Sequence, residues 1–405
     1  MEKQVLESID PKLIGARLQE ARRARGTTQQ AVAEHMGMAR TTLVAIEKGE
    51  RRLTPHELIQ LAAFYGRSVS EFLRHPAVSE DFVPQFRAAW RKDFEQDAEL
   101  AGTAAELQSL AEDYVELERL SEMPLVRSYP PPYNISGRPV ELAAEEVATS
   151  ERNRLGIGDG PISDLRERLE NDVGLRIFYY PMPSKIAGVF SYTESLGGCL
   201  GINANHPRDR RHYSLAHECG HFLTSRYQPE ITFLAESKRH SARERFADGF
   251  ANAFLMPASG LNRRFSELDR SKEQGATLAD IVSLANLYQV SVQALILRLE
   301  DLRRLPAGTW EKLTSEGFKV RQAQNLLGIE ANPPVKDLLP QRYQDLALLA
   351  HAKGQISEGQ FAKFLRTDRV SARALIEELN LRIHAEVGDE FRQLELDLAS
   401  PLGGR

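Results

Sequence analysis

With 405 residues, the chain exceeds one ordinary domain and should divide into about two to four. Hydrophobic residues make up 42%, charged residues 27% and aromatics 7%, which excludes collagen-like, fibrous and fully disordered classes. The net charge of −5 is unevenly spread, because residues 1–76 hold 12 Lys/Arg against 9 Asp/Glu and leave −8 on the remainder. No apolar run approaches the roughly 20 residues that span a bilayer. Met1-Glu2-Lys3-Gln4 leads into a charged amphipathic stretch rather than a signal-peptide core. Two cysteines, Cys199 and Cys219, cannot make a disulfide scaffold. Together these features predict a cytoplasmic protein with no membrane partner.

From Leu13 to Leu73 the pattern is one of short helices, with Leu13, Ile14, Leu18 and Ala21 at helical spacing. Gly26-Thr27-Thr28 stops one helix and caps the next, Gln29 to Met36. Gly37 then turns the chain into Arg40 to Lys48, a helix-turn-helix arrangement. Pro55 opens a further helix. Between Ala105 and Leu120, Leu107, Leu110, Tyr114, Leu117 and Leu120 share one face of a connector helix. Such a stripe is expected to rest on its own chain; a homodimer seam is the alternative, but sustained heptads are missing. Pro130-Pro131-Pro132 marks a stiff boundary.

A new domain is expected from about Val140. Helical patterns cover Glu141 to Leu155 and Ile162 to Leu169. Strand-like runs follow at Leu175–Tyr180, Ala187–Tyr192 and Cys199–Ile202, and then helices at Asp209–Ser225, Ser241–Met256 and Thr277–Tyr288. The class is α+β, in a multi-domain chain: 1–78 an all-α helix-turn-helix domain, 79–139 a connector, 140–304 an α+β domain, and 305–405 a helical C-terminal domain.

The strongest chemical signal is His217-Glu218-Cys219-Gly220-His221 within an apolar helix. Residues four apart share a helix face, so the two imidazoles can converge on Zn²⁺. Glu218, beside the first ligand, can take the proton of the attacking water, as metallopeptidase chemistry requires. Positions 224 and 227 are Thr224 and Tyr227 instead of the Gly and His of metzincins, which removes that subclass. A third ligand must then be a downstream carboxylate. Glu244, at the start of the next helix, is one choice, with Glu230 and Glu236 as rivals. Asp248, one turn beyond Glu244, can hold a ligand histidine through its second ring nitrogen.

The run Gly188 to Asn203, the segment Tyr213 to His221, and Glu244-x-x-Ala247-Asp248-x-Phe250-Ala251-x-x-x-Leu255-Met256-Pro257 together resemble the ImmA/IrrE metallopeptidases over roughly Val140 to Leu302. Phe246 departs from that pattern without touching the proposed ligands. The resemblance implies a zincin-like fold for 140–304, Glu244 as third zinc ligand, and a partner helix-turn-helix repressor, encoded nearby, as substrate. It also implies a setting in bacterial stress, mobile-element or antiphage regulation. The layout is similar to the protease half of the repressor–protease pairs that control antiphage signalling operons, where single-stranded DNA is an expected activator.

Cys219 lies two residues from each histidine and should be buried on the far side of the helix. Cys199 follows Gly197-Gly198 at a strand start, where its thiol could reach the metal as an inhibitory zinc ligand and hold the enzyme latent. Residues 13–73 resemble the XRE-type helix-turn-helix family through Thr28-Gln29, Ala33, Gly37, Arg40-Thr41-Thr42-Leu43 and Ile46-Glu47-Lys48-Gly49. That resemblance implies that Arg40, Thr41, Thr42 and Ala45 face base edges and that Gln29, Lys48, Arg51 and Arg52 contact phosphates of a double-stranded operator. Near the C-terminus, Lys363, Arg366, Arg369 and Arg373 form a modest basic cluster. A second reading keeps the DNA-binding regulator and makes the zinc domain a non-catalytic sensor.

Overall fold

The computed structural model describes residues 11–65, 98–228, 230–233, 241–270, 275–329 and 338–377, together with Val69 and Phe72. Two compact units result, Met1–Ser79 and Glu80–Arg405.

In the first unit, four helices enclose Ile14, Leu18, Val32, Leu43, Ile46, Leu58 and Leu61. They are α1 (Pro11–Ala24), α2 (Gln29–His35), α3 (Arg40–Glu47) and α4 (Pro55–Tyr65). Thr28 caps α2 by accepting from the Ala31 N–H at 3.2 Å. Gly37 makes the turn into α3 at φ 63°, a left-handed conformation that costs glycine little. Gly15 lets α1 cross the end of α3, because a Cβ there would stand 2.4 Å from the Ile46 carbonyl oxygen. Glu47 is buried beneath this crossing and is paired with Arg22 at 2.6 Å, as an interior carboxylate must be.

The second unit begins with α5 (Ala98–Ser121), α6 (Val140–Arg154) and α7 (Leu165–Arg168), the last running into a π-turn at Leu169–Val173. Three strands follow, β1 (Arg176–Tyr180), β2 (Ile186–Thr193) and β3 (Gly197–Asn203), then α8 (Arg208–Ser225) and a short β4 (Glu230–Phe233). Next come α9 (Ala242–Leu255), α10 (Ala258–Arg270), α11 (Leu278–Leu287), α12 (Val292–Asp301), α13 (Thr309–Ser315) and α14 (Val320–Leu326). The described chain closes with α15 (Gln341–Ala352), α16 (Glu358–Phe364) and a helix over 369–377. The sheet runs β1-β3-β2-β4, with β1 parallel to β3 and the other pairs antiparallel. The architecture is α+β, with helices on both faces of a small mixed sheet.

Strand alternation sorts the core into two layers. On one face, Ile177, Phe190, Leu200 and Ile202 meet Leu215 and Phe222 of α8 and Phe246 and Phe250 of α9. On the other, Phe178, Val189 and Cys199 meet Leu107, Leu110, Tyr114 and Leu117 of α5, with Tyr343 and Leu346 of α15 and Phe361 of α16. The α5 stripe is therefore satisfied inside its own chain. At about 1.5–3 kcal/mol per fully buried large apolar side chain, this second layer welds the connector and the C-terminal helices to the sheet. Residues 80–405 accordingly group as one compact unit.

Charges in the second layer are paired. Arg176 of β1 meets Glu118 of α5 at 2.7 Å, Arg342 of α15 reaches the same carboxylate at 3.3 Å, and the Tyr114 hydroxyl donates to Glu170 at 2.8 Å. The basic cluster near the C-terminus is likewise drawn into ion pairs: Arg366 meets Asp113 at 2.7 Å and Glu106 at 3.3 Å, and Arg373 meets Glu358 at 2.9 Å. Among the described residues, no single helix is long and apolar enough to cross a membrane.

Candidate metal centre

Helix α8 runs between the sheet and α9 and is buried continuously from Ser214 to Leu223. Gly220 permits the close contact with α9, since a Cβ there would stand 3.1 Å from the Ala247 Cα. That approach sets Glu244, one turn before Ala247, opposite the α8 histidines. Ser241 caps α9 by accepting from the Glu244 N–H at 3.1 Å, which holds Glu244 in the first turn.

His217, His221 and Glu244 converge, each offering a ligand atom within 4.8 Å of the others. The two Nε2 atoms are 3.1 Å apart, His221 Nε2 lies 3.2 Å from Glu244 Oε1, and His217 Nε2 lies 3.4 Å from Oε2. Ligand bonds of 2.0–2.1 Å at tetrahedral angles require donors roughly 3.3 Å apart, so two imidazoles and a carboxylate at these spacings fit a zinc ion. The three side chains also set one another's charge. Burial disfavours a charged His217, yet its bonds to Asp248 and Glu244 outweigh burial and push it up to about 10. Burial holds His221 down to about 4 against the pull of Glu244, and Glu244, despite burial, is held well below the usual carboxylate range by the two imidazoles.

Asp248 sits one turn beyond Glu244, with Oδ1 3.0 Å from His217 Nδ1. The Tyr213 hydroxyl donates to the same oxygen at 3.1 Å. Tyr213 is a partner that sequence reasoning missed, although its place four residues before His217 is the signal that could have found it. Glu218 is fully buried, and its carboxylate occupies the space that a side chain at position 188 would need.

Cys219 faces the apolar layer of α8, and burial raises its thiol far above the ordinary range. Cys199 does not approach the cluster. In β3 it pairs in register with Arg176 and points into the opposite layer, where its Sγ lies 3.6 Å from the Leu196 carbonyl oxygen. Burial pushes its thiol up to about 12 despite Arg176 and Arg127, so it stays protonated. The expected inhibitory ligand is therefore ruled out by strand alternation: the sheet separates Cys199 from α8. Of the rivals to Glu244, Glu230 begins β4, and Glu236 lies outside the described residues.

In the helix-turn-helix unit, Arg40 and Thr41 at the start of α3 are exposed, as are Lys48 and Arg52, while Thr42 and Ala45 are half-buried. Gln29 is instead engaged internally, donating to Glu47 at 2.9 Å, and Arg51 is paired with Glu57 at 2.9 Å.

Residues 170–300 match the family described as the IrrE N-terminal-like domain, Peptidase M78, and residues 18–72 match the helix-turn-helix family. One chain thus joins an IrrE N-terminal-like domain of the ImmA type to an N-terminal XRE-type helix-turn-helix. Among curated proteins, no sequence matches the chain. Similar solved structures include Bacillus thuringiensis PlcR in complex with the peptide PapR7 and DNA, at 10% identity over 93% of this chain and 98% of that one, with a TM-score of 0.17. Streptococcus suis ComR is 12% identical over 94% of this chain and 91% of its own, with a TM-score of 0.16. At such TM-scores neither likeness bears on the fold.

Proposed function

We propose that the chain is a zinc-dependent endopeptidase that cuts a helix-turn-helix repressor and so releases a stress or antiphage defence operon. The convergence of His217, His221 and Glu244, with Glu218 buried beside them, carries this reading. Bound by those three residues, the ion would polarise the scissile carbonyl and acidify the attacking water. Glu218 takes the proton of that water and returns it to the leaving amine. Asp248 accepts from His217 Nδ1 and keeps Nε2 directed at Glu244 and His221.

The N-terminal unit is the DNA-binding part, with Arg40 and Thr41 toward base edges and Lys48 and Arg52 on phosphates. Its likeness in kind to the expected substrate favours a repressor as the protein partner. The layout is similar to CapP, the protease of CBASS operons, and on that likeness single-stranded DNA is the activator.

The test mixes the purified chain with the product of the adjacent gene, with and without DNA or chelator. Glu218→Gln should keep zinc and DNA binding and lose cleavage. Full regulatory function without cleavage in the parent would leave only the sensor reading.

A further inference from the structure

We infer that Tyr213 is a positioning residue for the metal centre: by fixing Asp248, it decides which nitrogen of His217 is free to bind the ion. The inference rests on reading His217, His221 and Glu244 as metal ligands. Tyr213 and His217 are one turn apart on α8, their ring centroids 6.5 Å apart, and both reach across to α9. His217 Nδ1 stands 3.0 Å and the Tyr213 hydroxyl 3.1 Å from one and the same oxygen, Asp248 Oδ1, and that hydroxyl is also 3.3 Å from the Asp248 carbonyl oxygen.

A carboxylate partly open to water can still rotate. The Asp248 carboxylate is 29% exposed, against 4% for the His217 side chain, so water competes for it on its open side. A second donor on the same oxygen, from a tyrosine anchored one turn away, removes that freedom. With Oδ1 fixed, the proton that His217 keeps when it ligates stays on Nδ1, and Nε2 is the nitrogen left for the ion, on the side of Glu244 and His221. Without the hydroxyl, Asp248 turns toward solvent and His217 is released to the tautomer that carries its proton on Nε2, which cannot ligate. Phenylalanine at 213 would keep the ring and delete the hydroxyl, with its contacts to Asp248 Oδ1 and to the Asp248 carbonyl oxygen.

The experiment measures zinc affinity by chelator competition on the full chain, for the parent, Tyr213→Phe, Asp248→Ala and the double variant. Tyr213→Phe should weaken binding about tenfold, as loss of a partner behind a metal ligand does, and Asp248→Ala by at least as much. The double variant should bind as weakly as Asp248→Ala alone, because the hydroxyl reaches His217 through that carboxylate. An unchanged affinity in Tyr213→Phe, or losses that multiply in the double variant, would overturn the positioning role. A parent that binds no zinc would instead overturn the metal centre itself.

Discussion

Gly188 of β2 faces Glu218 of α8 so closely that a Cβ on it would stand 2.5 Å from Glu218 Oε1. The strand has no side chain at the point where Glu218, the proposed general base, needs room, and the missing methyl sets where the carboxylate lies. Gly188→Ala should therefore push the carboxylate aside while leaving His217, His221 and Glu244 in place. We expect zinc affinity within a factor of about two of the parent and cleavage lower by about 10²-fold or more, the range for losing a placed general base. Cleavage at the parental rate in a zinc-loaded Gly188→Ala protein would show that this contact does not position Glu218.

Protons and the ion compete for the same atoms. His217, pushed up to about 10 in the ion-free cluster, carries its extra proton at neutral pH. An ion arriving at Nε2 must displace it, so zinc binding at pH 7.5 should release about one proton per site in weakly buffered solution. The sign follows from the shift. The folded, ion-free value lies above the ordinary 6.5, so the proton's contribution to stability is full below about 6.5 and fades as pH rises through about 10. Zinc affinity should accordingly strengthen with rising pH over that interval. Stripping the metal should lower the melting temperature by an amount equivalent to roughly 4 kcal/mol when free zinc had been 1,000 times its dissociation constant. In Glu244→Gln that difference should nearly vanish, and a chelator-sensitive melt that survives this change would place the ion elsewhere.

Much of this arrangement is readable from local sequence. The strand-like runs Leu175–Tyr180, Ala187–Tyr192 and Cys199–Ile202 lie between turn formers, and each became a strand, at Arg176–Tyr180, Ile186–Thr193 and Gly197–Asn203. The histidine pair declares itself because four residues on a helix is both a spacing and a geometry. What local patterns miss depends on partners distant in the chain. The four residues of β4 alternate polar and apolar but are too few to declare a strand by themselves, and they form one by pairing with the edge of β2. Ser241-x-x-Glu244 has the form of a reciprocal helix cap, but only the serine half is made, since the glutamate turns to the histidines. Alternation along β3 shows that Cys199 and Leu200 face opposite ways, but only the placement of α8 on the Leu200 side excludes the thiol from the metal.

Glu170 gives the fold a titration of its own. Burial raises its carboxyl from an ordinary 4.5 to about 7, although Tyr114, Arg166 and Arg342 oppose the shift. The fold thus retains a proton that the unfolded chain has lost between those values. Its stabilising contribution is full below about 4.5 and disappears as pH rises through about 7, a change of at most about 3 kcal/mol. Glu170→Gln keeps the shape without the charge. Its denaturation midpoint should fall less than that of the parent between pH 5 and pH 7.5, and the variant should be the more stable of the two above pH 7.5. Parallel pH profiles for the two proteins would contradict a buried, proton-retaining Glu170.

On the helix-turn-helix unit, side-chain engagement separates residues that are alike in sequence. Lys48 is exposed, whereas Gln29 is committed to Glu47 and Arg51 to Glu57. A phosphate contact from Lys48 needs no internal bond to break, while contacts from Gln29 or Arg51 must first give one up. Lys48→Ala should weaken binding to duplex DNA about equally for all sequences and reduce the slope of log affinity against log salt by about 1. Arg51→Ala should change that slope less. Arg40 stands exposed at the first turn of α3, where a side chain can reach a guanine edge, so Arg40→Ala should cost about 1–3 kcal/mol on the preferred sequence and little on random DNA. Fluorescence anisotropy over a salt series measures all three, and equal slopes for the parent, Lys48→Ala and Arg51→Ala would mean that this face does not meet the phosphates.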